Sequence, residues 1–199
     1  MAYIVVATQN EHKVDEYREL LKDQGVELRS LKEYPNFPEV EENGKTFAEN
    51  AALKAVAASK YCDVPAFADD SGLEVEALDG RPGIHSSRYA PSDPERIAKL
   101  LKELEGKENR RARFVCVIAI AANGEVLETF EGEVKGTILT SPRGENGFGY
   151  DPIFQPDGFD KSFAELTQEE KNRISHRAMA YAKALEFVDE ELSILDGGF

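Results

Sequence analysis

Apolar positions recur along this chain at two periods, and the two alternate. Tyr3 to Ala7 is a short apolar run that reads as a strand. After the turn Thr8-Gln9-Asn10, Val14, Tyr17 and Leu21 fall at helical spacing, with Asn10 as the N-cap. Thr46 and Glu49 make a capping-box pattern ahead of an Ala-rich helix that runs to about Tyr61. Ala66-Phe67-Ala68 reads as a strand that stops at the turn formers Asp69-Asp70-Ser71-Gly72, after which Leu73, Val75 and Ala77 alternate. A helix is expected from Pro94 to Leu104, capped by Asp93. Phe114 to Ala122 is a continuous apolar run, and Asn123-Gly124 turns it into Val126 to Val134 as a hairpin. A glycine-rich loop fills 144–151, and a last helix spans about Ser175 to Leu192. Its expected inner face carries Ala178, Tyr181, Ala182, Leu185 and Val188. The alternation predicts an α/β fold, and the absence of repeats and Pro/Ser-rich linkers predicts one domain over 1–199.

Composition narrows the function. The apolar run at 114–122 is far short of the roughly 20 residues a membrane helix needs, and the N-terminus has no basic leader, so a cytoplasmic protein is expected. Two cysteines supply neither a disulfide framework nor an all-thiolate zinc site; they read as buried free thiols. With 38 acidic against 24 basic residues, the net charge is -14, which disfavours a nucleic-acid polymer as partner. A small anion in a local basic pocket remains open. The chain has no GxxxxGK[ST] loop, GxGxxG, HExxH or GxSxG.

Five stretches carry candidate chemistry, each with a plainer alternative. Thr8 to Lys13 joins a strand to a helix N-terminus, where backbone N–H groups, Thr8, Asn10 and Lys13 can receive a phosphate; a capped turn with a solvated lysine fits too. Asp69-Asp70-Ser71 sets two carboxylates side by side, as magnesium binding beside substrate phosphates requires, or forms a simple turn. Glu39, Glu41 and Glu42 precede a helix on which Thr46, Asn50 and Lys54 make a polar stripe. A carboxylate there can assist Asp70 and Lys54 can reach a phosphate, or the stripe is a solvated face. Gly147 to Asp151 presents Phe148 and Tyr150 for stacking on a base, or is a tight aromatic turn. Ser175-His176-Arg177 at a helix start, with Lys171 upstream, supplies donors for an oxygen-rich ligand, or is structural. Together these suit a nucleotide with its magnesium.

These motifs resemble the inosine/xanthosine triphosphate pyrophosphatases, which hydrolyse non-canonical purine nucleoside triphosphates. The matching stretches are Thr8–Lys13, Glu41–Lys54, Ala68–Leu73, Gly80–Tyr89, Gly144–Phe154 and Leu166–Arg177, in family order over nearly the whole chain. Gln9 and Asn146 stand where many members have glycine. The resemblance implies an elongated mixed sheet flanked by helices, two lobes with the active cleft between them, and a homodimer. It implies that Thr8, Gln9, Asn10, Glu11, His12, Lys13 and Lys54 bind the triphosphate and that Glu41 and Asp70 hold Mg2+. Asp70 would be the general base, and Ser71 would touch substrate. Phe148, Gly149, Tyr150, Asp151, Lys171, His176 and Arg177 would bind the nucleoside, with Arg177 a candidate donor to the purine 6-keto oxygen. Three other readings compete: a septum-formation-type nucleotide pyrophosphatase, a phosphoaspartyl phosphatase using Asp69 as nucleophile, and a non-catalytic nucleotide-binding module.

Overall fold

The computed structural model describes residues 3–22 and 27–196. Strands β1 (Tyr3–Val6), β2 (Glu27–Ser30), β3 (Ala66–Val75), β4 (Arg111–Ala122), β5 (Glu125–Ile138) and β6 (Phe154–Pro156) form one sheet in the order β2-β1-β3-β4-β5-β6. The sheet is mixed: β1 runs parallel to β2 and β3, whereas β5 pairs antiparallel with β6. Helices α1 (Glu11–Leu21), α2 (Phe47–Cys62), α3 (Asp93–Glu103), α4 (Gln168–Asn172) and α5 (His176–Asp196) complete the α/β fold. The chain divides into two compact units, one of residues 1–70, 116–132 and 177–199, the other of 71–115 and 133–176.

The first unit has two apolar clusters. Val6, Val14, Tyr17, Phe67, Ile118 and Tyr181 form one, and the small residues Ala51, Ala55 and Ala58 of α2 pack with Ala66, Ala68, Ala119 and Ala121 in the other. The alanines explain why a helix of modest amphipathicity seats here: they let α2 lie close to the strands. In the second unit Leu73, Leu100, Leu104, Phe114, Ile153, Phe154 and Phe163 share one core.

Several boundaries differ from the sequence expectation. Asp69-Asp70-Ser71-Gly72 is no turn; β3 runs through it, with Lys13 3.0 Å from the Asp69 carboxylate and Lys54 3.9 Å from that of Asp70. Ser92, not Asp93, caps α3, and its hydroxyl accepts from Glu95 N; Asp93 is the first helical residue. Thr46 caps α2, but Glu49 reaches Lys45 N instead of closing the box on Thr46. On α5, Ala182 is exposed and Ala180, Tyr181 and Ala184 are buried. The buried Arg177 holds the inward position one turn earlier, which rotates the face away from the one that apolar residues alone suggest. The hairpin turn is as expected, with Asn123 and Gly124 both at positive φ.

Candidate active site

Because Val6 pairs with Phe67, the chain leaves β1 alongside the acidic segment of β3. Ala7 N donates to Phe67 O at 2.8 Å, and the turn into α1 follows. Asn10 caps that helix: its Oδ1 accepts from His12 N at 3.1 Å, while Thr8 Oγ1 accepts from Asn10 N at 3.2 Å. Gln9, Asn10 and His12 are exposed. Glu11 turns to Lys32, 3.0 Å away. Lys13, one turn in, places Nζ 3.0 Å from Asp69 Oδ2.

Lys54 comes to the same strand from α2. Its Nζ donates to the carbonyl of Asp69 at 2.7 Å, lies 2.8 Å from Glu42 Oε1 and 3.9 Å from Asp70 Oδ1. The polar stripe on α2 is therefore no solvated face. Asn50 is buried and accepts from Gly44 N, and Lys54 is largely covered. Burial pulls the Lys54 pKa down, but Asp69, Asp70 and Glu42 more than offset it and hold the ammonium above its ordinary value. For Asp70 the balance falls the other way: burial pushes the carboxyl above the usual carboxylate range, against the pull of Lys54 and Lys13. Its Oδ2 is buried without a hydrogen-bond partner among the described residues. A buried carboxylate oxygen left so is costly, and it suits a cation or an attacking water. The carboxylate on Lys54 is Glu42; Glu41 is exposed. Asp70 with Glu42 makes two oxygen donors, enough for a divalent ion that also takes substrate phosphates. No cluster of three metal-ligating side chains occurs among the described residues.

Asp69 is 0% exposed, and its carboxylate lies between Lys13 and Arg177, the latter with Nε at 3.4 Å. That enclosure rules out the nucleophile considered from sequence, because an attacking oxygen must reach substrate. Arg177 is itself 2% exposed and is paired with the buried Glu16 as well. Burial works against its charge, yet Glu16 and Asp69 hold its pKa well above the ordinary value. In this structure the guanidinium expected to read a purine edge is committed to two carboxylates. Glu16 was invisible to motif reading, although it lies one turn after Lys13 beside the inward-facing Tyr17.

The remaining candidates belong to the second unit. Ser71 follows Asp70 in β3 and is half-buried. In the 144–151 loop, Gly147 and Gly149 both take positive φ, which glycine adopts without strain. Asp151 organises the loop from inside: Oδ2 accepts from Phe148 N at 3.1 Å and from Lys171 Nζ at 2.9 Å. A Cβ on Gly147 would stand 2.1 Å from that oxygen. Lys171, 3% exposed, is buried and not a surface lysine; its Nζ lies 5.0 Å from the Phe148 ring centroid. It also lines a pocket of about 360 Å³ with Asn146, Phe163, Leu166 and Thr167. Phe148 and Tyr150 part company. Tyr150 is in the core with its hydroxyl on Ser86 O, so Phe148 is the half-exposed ring. His176 is buried and stacks on Phe114, with centroids 4.7 Å apart and planes at 10°.

Comparison with known proteins gives a consistent answer. Residues 4–187 match the Ham1 family. A dITP/XTP pyrophosphatase of Geobacillus kaustophilus is 51% identical over 203 residues, covering 100% of this chain and 98% of the relative. The Bacillus subtilis protein of the same name is 49% identical over 188 residues, 92% of this chain and 95% of its own. Among solved structures, a HAM1 protein from Coxiella burnetii superposes with a TM-score of 0.87 at 44% identity, over 96% of this chain and 100% of that one. The Staphylococcus aureus Ham1 protein gives 0.84 at 44% identity, over 95% of this chain and 99% of its own.

Proposed function

The chain belongs to the Ham1 family, and on that premise we infer that it is a nucleoside-triphosphate pyrophosphatase acting on non-canonical purine nucleotides such as dITP and XTP. The reaction is water plus triphosphate to nucleoside monophosphate plus pyrophosphate. The observation that carries the reading is the cluster in the first unit: Lys13 and Lys54 both seated on Asp69, with the orphaned Asp70 Oδ2 beside them. It joins cations for a polyphosphate to an acceptor for a proton.

In this reading Lys13, Lys54, Thr8, Asn10 and the N–H groups that open α1 bind the phosphates. Asp70 Oδ2 takes the proton of the water that attacks the α-phosphorus. Burial raises its pKa, which makes it a stronger base than an ordinary carboxylate. Lys13 and Lys54 neutralise charge on the departing pyrophosphate. Such enzymes are generally metal-dependent, and here magnesium fits Asp70 and Glu42 better than the exposed Glu41. When bound, the ion withdraws charge from the phosphate oxygens and orients them. Phe148, Lys171 and His176 serve the nucleoside. A keto oxygen at purine position 6 accepts from a buried donor, whereas the adenine amino group leaves that donor unpaired. We also propose a cytoplasmic homodimer, which rests on the family; no described helix is long and apolar enough to cross a membrane.

The test is a panel of dITP, XTP, ITP, ATP and GTP with and without magnesium, with the phosphorus products identified. Pyrophosphate from the first three, dependent on metal, is the expected result. Inorganic phosphate as first product, or binding without turnover, would overturn it.

A further inference from the structure

We propose that Asp93 is a positioning residue that holds Phe148 in the orientation from which it stacks on the base, although Asp93 itself touches no substrate. The inference rests on the reading that Phe148 serves the nucleoside. Asp93 opens α3 and spends its two carboxylate oxygens differently. Oδ1 accepts from Arg96 Nη1 at 2.6 Å, and Oδ2 accepts from Gly149 N at 2.7 Å. Arg96 is fixed in turn, with Nε donating to Ala90 O at 2.9 Å. The carboxylate is thus aimed at the loop by its own helix.

Phe148 is mounted between two glycines at positive φ, the most pliable backbone a side chain can have on both flanks. Two successive amides tie it down. Phe148 N goes to Asp151 inside the loop, and Gly149 N goes to Asp93 from a different element. A Cβ at Gly149 would meet nothing within 4 Å, so no side-chain packing at Gly149 itself holds that peptide plane. The hydrogen bond to Asp93 does, and it is of the strong, charge-assisted kind. Without it the Phe148–Gly149 peptide can rotate, and the ring loses its set direction.

The variants are Asp93→Ala and Asp93→Asn, each with Phe148 and with Phe148→Ala. Ser92 keeps the cap of α3 in both, and Asn retains an oxygen to accept from Gly149 N. Asp93→Ala should raise KM for dITP about tenfold with kcat within about twofold, the usual scale for a lost hydrogen bond to a charged group. Asp93→Asn should restore most of it. In the Phe148→Ala background, Asp93→Ala should change KM by less than about twofold, because residues acting through one another are not additive. An equal KM rise in both backgrounds, or no rise with Phe148 present, would overturn the inference. If Phe148→Ala alone left KM unchanged, the reading of Phe148 itself would fail, and the two failures are thereby told apart.

Discussion

Replacing Arg177 by methionine tests how the first unit is held together. The side chain is 2% exposed and joins Glu16 and Asp69, themselves buried. Methionine fills similar volume but leaves the two carboxylates without their shared cation. Asp69 keeps Lys13 at 3.0 Å, which softens its share of the penalty. Removing one partner of a buried ion pair costs about 3–5 kcal/mol, because the remaining charge is buried uncompensated. For a chain of this size that is a loss of roughly 6–20 °C in Tm. Calorimetry and urea melts of Arg177→Met, Glu16→Gln and the double variant form the assay. The double variant should recover a substantial part of the loss, since the stranded charge is gone. A single variant within about 1 kcal/mol of wild type, with the ITP-to-ATP preference lost, would refute the reasoning and return Arg177 to the purine edge.

Asp70→Asn should lower kcat by about 10²–10⁴-fold while nucleotide binding survives, as stopped-flow turnover and calorimetric titration would measure. The same variant should melt higher than wild type without divalent ions, because burial raises the Asp70 pKa and its charge therefore costs stability above the carboxylate range. Gly147→Ala forces a left-handed alanine against Asp151 and should cost at least about 1–2 kcal/mol in a urea melt, with KM raised. Tyr89, partly buried and hydrogen-bonded to Glu103, has its pKa pushed up to about 12 from 10.0. A raised pKa gives stability that is whole below pH 10 and is lost as pH climbs through about 12, so ultraviolet titration should show a late phenol. Glu103→Gln should bring that phenol part of the way back.

Legibility in the sequence followed the range of the interactions. The N-cap at Asn10 and the Asn123-Gly124 hairpin rest on neighbours a few residues apart, and both stand as the pattern predicts. The strands β2 and β6 have four and three residues, too few to show a period. The acidic segment looked like a turn because its compensation comes from Lys13, Lys54 and Arg177, which lie far away along the chain. The same holds for Lys171, whose burial depends on Asp151, and for Glu16, whose partner lies 161 residues on. Residue types announced a phosphate and a carboxylate chemistry; which carboxylate is exposed, enclosed or orphaned required coordinates.

Hydrolysis of dITP in water enriched in oxygen-18 puts the central claim to its most direct test. Attack on the α-phosphorus, with Asp70 taking the proton, must place the heavy oxygen in the nucleoside monophosphate and none in the pyrophosphate. Mass spectrometry of the two products reads this at once. Label in the monophosphate, with the rate collapsing in Asp70→Asn, is the predicted result. Label in pyrophosphate, or in released inorganic phosphate, would contradict the account.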